Sequence, residues 1–191
     1  VTQVPLQYNL HAFDWVCPDG HRRYQSPSGP CAICEKPTTK EIIWKKRESR
    51  RTWAWRFDQD LHFQYWREWE KAHPEQYVET MSLLGACFFM ERERYWELGG
   101  SDELHGSWGQ QGTEIACKTW LSGGRLICNR TTWFSHMFRT QGGDFGFPYP
   151  LSNEDQEKAR QRSRYLWRNN KFPQAVRDLQ WLVDKFNPPG L

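Results

Sequence analysis

Four residues near the start of the chain have the types and the spacing of a metal site. Three residues separate Cys17 from His21, and two separate Cys31 from Cys34. Zinc prefers four tetrahedral ligands from thiolate and imidazole, and a two-residue gap lets paired thiolates chelate one ion. Glycines and prolines between them allow tight turns. The pattern predicts a closed, structural zinc site in residues 17–40, and the alternative is a disulfide beside an uninvolved histidine.

The other candidate site residues lie between residues 83 and 139, a stretch that is predicted to contain several helices and strands. The predicted elements are a strand at 83–90, helices at 92–98 and 113–121, and strands at 125–128 and 131–135 around a turn at 129–130. A pair of glycines follows each helix and supplies a left-handed stop. The stretch is thus predicted to fold as a strand, a short helix, a loop, a helix and strands.

Five spaced motifs of this stretch resemble those of polypeptide N-acetylgalactosaminyltransferases, which are family 2-like glycosyltransferases of the GT-A fold. The motifs are residues 85–86, 96–103, 108–114, 122–124 and 135–139. They agree in order and interval over roughly 55 of the 191 residues. The resemblance implies an α/β chain that forms the C-terminal, acceptor-side half of a GT-A fold, with an inserted zinc knuckle and C-terminal helices.

The resemblance assigns the donor side to two residues. His136 matches the histidine that ligates the divalent metal, Mn²⁺ or Mg²⁺, which bridges the diphosphate of a nucleotide-sugar donor. Arg139 matches the arginine that contacts the diphosphate. A neutral imidazole suits manganese and a guanidinium fits phosphate in a bidentate manner, so both roles are physically sound. The alternative for His136 is a hydrogen-bonded core histidine.

The resemblance also implies roles on the sugar and acceptor side. Gly85 and Ala86 match backbone that lies close to the transferred sugar, and Trp108 matches a tryptophan at the donor and acceptor junction. Gln111 stands where the family has a glutamate, and Glu114 is the nearest carboxylate of that motif. Glu114 could instead form a surface helix pair with Lys118. Retaining chemistry, inverting chemistry and loss of catalysis therefore stay open, as does the acceptor.

The start of the chain is expected to continue a fold that begins elsewhere. Residues 1–16 correspond to the strand that follows the metal-binding Asp-x-His element of the family. That element and the nucleotide-binding half are expected in a preceding part of the same enzyme. The predicted organisation is a strand at 1–16, a zinc knuckle at 17–40, a basic and aromatic linker with a helix at 41–80, an acceptor-side core and lid at 81–150, and helices at 151–191.

Composition narrows the partners and the compartment. A net charge of +3 is too small to indicate nucleic acid by itself. No apolar run approaches the ~20 residues needed to span a bilayer, so no membrane partner is expected. Ligand-spaced cysteines together with others in apolar contexts favour a reducing compartment, the cytoplasm or, for a phage-encoded enzyme, the host cytoplasm.

Three further segments have more than one interpretation. The basic residues of 38–56, which are interleaved with tryptophans, could contact nucleic acid, contact an anionic acceptor or form a solvated loop. Together with the zinc knuckle, they give the alternative function of a nucleic-acid-binding or assembly module without catalysis. Asp58-Gln59-Asp60 could be an Asp-x-Asp metal motif, but helical spacing favours a helix at 61–71. Residues 142–150 could form a lid or an ordered loop.

Overall fold

The computed structural model describes residues 1–106, 108–139, 145–147 and 149–191. Its strands are β1 (Thr2–Val16), β2 (Arg22–Tyr24), β3 (Thr39–Thr52), β4 (Trp55–Phe57), β5 (Phe63–Tyr65), β6 (Tyr77–Glu79) and β7 (Leu126–His136). Its helices are α1 (Arg67–Ala72), α2 (Arg92–Glu97), α3 (Gln111–Leu121), α4 (Asn153–Arg168) and α5 (Leu179–Phe186), with a 3₁₀ turn at Glu103–His105. Within the described part, none of these helices combines the length and apolar character required to cross a membrane.

One sheet of five strands and a separate hairpin form the β structure. The sheet has the order β2-β1-β7-β6, with β3 also paired to β1, and β4 pairs with β5. The predicted turn at residues 129–130 is wrong, because β7 is continuous there. Asn129 pairs with Tyr77 of β6, and the N–H of Arg130 donates to the carbonyl of Gln76 over 2.8 Å. Hydrogen bonding to β6 therefore keeps the backbone of β7 extended at residues 129–130, where a turn was predicted.

Two compact units share the chain. The first contains residues 1–6, 52–134 and 151–191, and the second contains residues 7–51 and 135–150. The first unit has a large core that includes the fully buried Trp55, Trp120 and Trp167. The second has a small core around Leu10 and Phe13. The predicted segments 17–40 and 151–191 each lie within one unit, whereas the other three are divided between both.

The predicted helices at 92–98 and 113–121 are confirmed as α2 and α3, whereas the prediction of a strand at 83–90 is wrong. Gly99 and Gly123 follow α2 and α3 with φ of +81° and +86°, the left-handed conformation in which glycine is least restricted. α3 is buried on nearly all sides from Gly112 to Leu121, instead of on one face. Residues 83–90 contain a turn in place of a strand. Single bridges join Phe89 to Gln3 and, just before this segment, Ser82 to Trp55.

A hairpin replaces the first part of the helix predicted at residues 61–71. The carboxylate of Asp58 accepts the N–H groups of Asp60 and His62, each over 2.9 Å, and the side-chain amide of Gln64 over 2.7 Å. These bonds fix the turn between β4 and β5, and only α1 is helical. The segment 41–80, predicted to be a linker and a helix, also contains most of β3.

The C-terminal segment forms two helices as predicted, but the second begins later. The hydroxyl of Ser152 accepts the N–H of Asp155 over 3.0 Å and caps α4. Pro173 does not start α5, since Asp178 caps it by accepting the N–H of Trp181 over 2.8 Å. α5 places Leu182 and Phe186 in the core of the first unit, which confirms a packing role.

Candidate functional sites

The four predicted zinc ligands come together in the second unit. Their ligand atoms all lie within 4.8 Å of one another. The Sγ of Cys17 is 3.5 Å from the Nδ1 of His21, and the Sγ of Cys31 is 3.7 Å from the same atom. The Sγ atoms of Cys17 and Cys34 are 3.7 Å apart. One ion could therefore contact all four residues at once.

These separations match a tetrahedral zinc site. Zn–S bonds of about 2.3 Å and Zn–N bonds of about 2.0 to 2.1 Å place tetrahedral sulfurs about 3.8 Å apart and sulfur and nitrogen about 3.5 Å apart. A disulfide would require sulfurs about 2.0 Å apart. All six cysteines of the chain are free thiols in the structure. The geometry thus fits the metal interpretation and not the disulfide alternative.

Local backbone turns hold this cluster at the end of β1. The N–H of Gly20 donates to the carbonyl of Cys17 over 2.9 Å, and Gly20 has a φ of +81°. The N–H of Ile33 donates to the Sγ of Cys31 over 3.4 Å. Backbone donation from Ile33 and Cys34 lowers the pKa of Cys31, so this sulfur carries the negative charge of the adjacent Cys31 and Cys34 pair.

The residues assigned to the sugar and acceptor side meet at the start of α3, in the first unit. A Cβ on Gly112 would overlap the carbonyl oxygen of Leu83 and lie 2.9 Å from the nitrogen of Gly85. A Cβ on Gly85 would lie 3.2 Å from the Oε1 of Gln111. Gly85 is therefore small because the main chain of α3 approaches it, a contact that the sequence did not reveal.

The other two residues of this group are accessible. Ala86 is exposed, and Trp108, which precedes α3, is 38% exposed. Gln111 is also exposed, at the first position of α3. The structure thus brings Gly85 and Gln111 together, with Ala86 and Trp108 on the segments adjoining them in sequence. A pocket of about 330 Å³ beside Leu61 includes none of the predicted site residues.

Glu114 is in the interior, so the predicted surface pair with Lys118 is wrong in its location. The side chain of Glu114 is 2% exposed, and that of Lys118 is 8% exposed. The Oε1 of Glu114 lies 2.7 Å from the Nζ of Lys118 and accepts the N–H of Asp102 over 2.7 Å. Lys118 also donates to the carbonyl of Gly100 over 2.7 Å. The carboxylate is already engaged in holding the loop before Trp108, which favours a structural role over a catalytic one.

His105 extends this buried network, and nothing in the sequence pattern indicated it. Its Nδ1 lies 3.4 Å from the Oε2 of Glu114, and its Nε2 lies 3.4 Å from the hydroxyl of Ser163 on α4. Arg162 of the same helix forms an ion pair of 2.9 Å with Asp102. Residues from α3, the 3₁₀ turn and α4 therefore meet through charged groups in the first unit.

Replacing Glu114 by Gln is expected to lower the free energy of unfolding by about 3 kcal/mol at pH 7, because Lys118 then keeps a buried charge without its partner. Burial raises the pKa of Glu114, but the neighbouring His105 and Lys118 and the hydrogen bond from the N–H of Asp102 outweigh it and lower the pKa. The stabilisation is therefore present above the unfolded pKa of about 4.3 and is lost as pH falls through the folded pKa.

Urea unfolding at pH 7 and at acidic pH measures this effect. The difference between wild type and Glu114→Gln should shrink in acid, since protonation of Glu114 removes the same charge. Glu154→Gln is the matched control, because its ion pair with Lys158 is exposed and contributes less than about 1 kcal/mol. A constant difference across the pH range would contradict the assignment.

His136 and Arg139, the predicted donor-side residues, belong to the second unit. His136 ends β7 and is half-buried, and burial lowers the pKa of its imidazole. Its Nδ1 is buried and has no hydrogen-bond partner among the described residues. The alternative of a hydrogen-bonded core histidine is therefore not supported at this nitrogen. A neutral imidazole is the form that ligates a metal. Arg139 is half-buried three residues further along.

Two further segments of the sequence were predicted to have other roles. The predicted Asp-x-Asp segment, residues 58–60, continues into Asp60-Leu61-His62, which also has the letters of an Asp-x-His element. It lies in the hairpin turn of the first unit, where Asp60 pairs with Arg164 over 3.4 Å. Of the predicted lid, residues 142–144 and 148 lie outside the described residues, and Phe145 packs on Phe13.

Comparison with known proteins identifies what this architecture is similar to. No family model matches the chain. Polypeptide N-acetylgalactosaminyltransferase 10 of Homo sapiens is 35% identical over 72 residues, which is 38% of this chain and 12% of that protein. Probable N-acetylgalactosaminyltransferase 9 of Caenorhabditis elegans is 27% identical over 88 residues, which is 46% of this chain and 14% of that protein.

A solved structure extends the similarity to nearly the whole chain. The crystal structure of GalNAc-T7 with UDP, GalNAc and Mn²⁺ has a TM-score of 0.59 and covers 97% of this chain at 15% identity. The chain has part of a GT-A fold. The predicted α/β class and the resemblance to this group of transferases are confirmed. The chain spans 36% of the GalNAc-T7 chain, so the match is to a portion of such an enzyme.

Proposed function

We propose that the chain is the acceptor-side part of a metal-dependent glycosyltransferase that moves a sugar from a nucleotide-sugar donor to an acceptor. The observation that carries the proposal is the combined similarity: 35% identity over 72 residues to a polypeptide N-acetylgalactosaminyltransferase, within a chain whose fold follows GalNAc-T7 over 97% of its length. An Asp-x-His element and a nucleotide-binding half would be supplied by another part of the same enzyme.

His136 and Arg139 are the residues of this chain that would serve the donor. His136 would hold Mn²⁺ or Mg²⁺, and the unpartnered Nδ1 and the neutral ring support this role. The metal, when bound, supplies positive charge to the leaving diphosphate. Arg139 would donate hydrogen bonds to the phosphate oxygens.

Two residues and one backbone turn would serve the sugar and the acceptor. The turn at Gly85 and Ala86 would present main-chain atoms to the sugar ring, and Trp108 would offer a flat apolar face for stacking. Gln111 would donate or accept a hydrogen bond at the start of α3, but a carboxamide cannot act as a general base. The choice between retaining and inverting chemistry is therefore not part of the proposal.

The Cys17, His21, Cys31 and Cys34 cluster would hold one structural zinc ion. All four ligand positions would be filled by protein, so the ion has no open position for a substrate. The ion would fix the loop that joins β1 to β3. Thiolate ligands persist in a reducing compartment, which supports a cytoplasmic location.

Donor binding tests the transferase proposal on the polypeptide as its gene encodes it. UDP-sugars with Mn²⁺ are expected to raise the Tm by about 5 °C near saturation. His136→Ala should remove the metal-dependent part of this shift and abolish metal-dependent transfer, whereas His73→Ala, a partly exposed histidine of α1's C-terminus, should change neither. Full activity in His136→Ala would refute its role. Salt-sensitive retention on DNA or RNA with no donor effect would favour a nucleic-acid-binding module instead.

A further inference from the structure

Strand β3 of the second unit is long, exposed and basic. It spans 14 residues, most of them exposed. Two of them are acidic and six are basic, namely Lys40, Lys45, Lys46, Arg47, Arg50 and Arg51. Both acidic residues are engaged within the unit, since Glu41 pairs with Arg22 over 2.8 Å and Glu48 pairs with Lys46 over 3.0 Å. The strand therefore presents an excess of positive charge.

Part of this positive charge is fixed against aromatic rings of the same unit. Lys40 lies 4.5 Å from the ring centre of Phe13, and Lys46 lies 4.7 Å from that of Tyr8. Arg47 lies 4.6 Å from that of Tyr24. Such contacts orient the cations and seat β3 on its neighbours. Lys45 and Arg50 are exposed and extend the charge along the strand.

One edge of β3 is open in the part of the chain that the structure describes. There β3 pairs with β1 alone, so its other edge leaves a row of backbone N–H and C=O groups without strand partners. An open edge is a template for another extended chain, and basic side chains on it normally prevent self-association. The strand thus excludes a second copy of itself, because like charges would face each other across the pair.

Two exposed apolar side chains show that protection is not the whole role of this edge. Ile42 and Trp44 are each 66% exposed. Trp44 has a φ of +50°, a left-handed conformation that is costly for a bulky residue. A purely protective edge has no need for exposed isoleucine and tryptophan. They instead provide apolar contact area next to the cations of the strand.

We propose that β3 binds an acidic, extended segment of a partner protein as an added strand. The backbone of a peptide satisfies the open edge, its carboxylates complement the basic side chains that β3 presents on both faces, and its apolar side chains contact Ile42 and Trp44. Nucleic acid fits less well, because it offers no backbone matched to a strand edge. The inference is independent of the transferase assignment.

Fluorescence anisotropy with a defined probe tests the proposal on the full chain. The probe is a labelled peptide of about 12 residues with the repeat Glu-Glu-Val-Val, which places both residue types on each face of an added strand, and it is acetylated and amidated at its ends. We expect saturable binding that weakens on raising the salt to about 0.3 M. The same peptide with alternate backbone nitrogens methylated should bind at least about tenfold more weakly, since it cannot complete the strand pair.

Charge and apolar contacts are tested by substitution. Lys45→Glu with Arg50→Glu is expected to weaken binding by about tenfold or more, and Trp44→Ala should also weaken it. The matched control, Lys71→Glu with Lys171→Glu, reverses two exposed charges of the first unit and should leave binding unchanged. Circular dichroism confirms that each variant is folded.

Four results would overturn the proposal. They are absence of binding, equal binding of the methylated peptide, equal loss in the control pair, and tighter binding of an oligothymidylate of about 15 nucleotides or of an anionic oligosaccharide. Each of these would remove either the added strand or the peptide as the ligand. None of them bears on donor binding, which is measured separately.

Discussion

Removal of zinc with a chelator is expected to unfold the loop between β1 and β3. Residues 17–38 contain only the three-residue strand β2 as regular structure, and the core of the second unit is small. Cys17 and Cys31 are buried, with their sulfur atoms directed at the other ligands. Zinc contributes about 10 to 16 kcal/mol to the folding of zinc-finger peptides at pH 7, which is more than a loop of this kind can replace.

Metal analysis and ligand substitution measure this effect. We expect one zinc ion per chain, lost in Cys31→Ser, with increased proteolysis in residues 17–38. Cys87→Ser is the matched control, because Cys87 is a half-buried free thiol of the first unit and should retain full zinc content. A chelator-treated, metal-free chain with unchanged folding would contradict the site.

The cluster of Cys17, His21, Cys31 and Cys34 was predictable because its information is local. Two short spacings and the turns between them determine which ligand atoms can converge, and no distant contact is needed. The helices α2 and α3 were predictable for the same reason, since each is followed by at least one glycine in a left-handed conformation, Gly99 after α2 and Gly123 after α3. Ser152 likewise caps α4 from the position next to it.

Elements that depend on distant partners were not predictable from their own residues. Phe57, Leu61, Tyr65 and Trp69 have helical spacing, yet the bonds made by Asp58 close a hairpin among them. Asn129 is a residue type that is common in turns, yet pairing with Tyr77 keeps β7 extended. In both cases hydrogen bonds to other residues outweigh local periodicity.

The residues of the candidate sites also differ in whether the sequence alone could reveal them. His136 and Arg139 were found by resemblance to a motif, and the unpartnered Nδ1 of His136 agrees with a ligand role. The network of Glu114, His105 and Asp102 was not found, because its members are charged residues that are usually exposed. Their burial depends on α4, which follows them by about fifty residues, and no local pattern reports that contact.

Replacing Gly112 by Ala is expected to disturb the turn at Gly85 and Ala86 more than the corresponding change at Gly85. The added Cβ would overlap the carbonyl oxygen of Leu83, and that oxygen belongs to main chain that cannot rotate away. We expect a loss of about 3 kcal/mol in the free energy of unfolding, equivalent to a Tm lower by about 6 to 12 °C. The gain in helix propensity, about 1 kcal/mol, is too small to compensate.

A double-mutant cycle separates this contact from effects within the helix. Gly85→Ala places a Cβ 2.9 Å from the nitrogen of Gly112 and 3.0 Å from the Cβ of Gln111, so it should also destabilise, but less. Once either substitution has separated the two main chains, the second should cost less than it does alone. Gln111→Ala, an exposed change at the adjacent helix position, should stay within about 0.5 kcal/mol. Additive losses would mean that α3 and the turn do not touch, and the turn would then lose its support as a sugar-binding element.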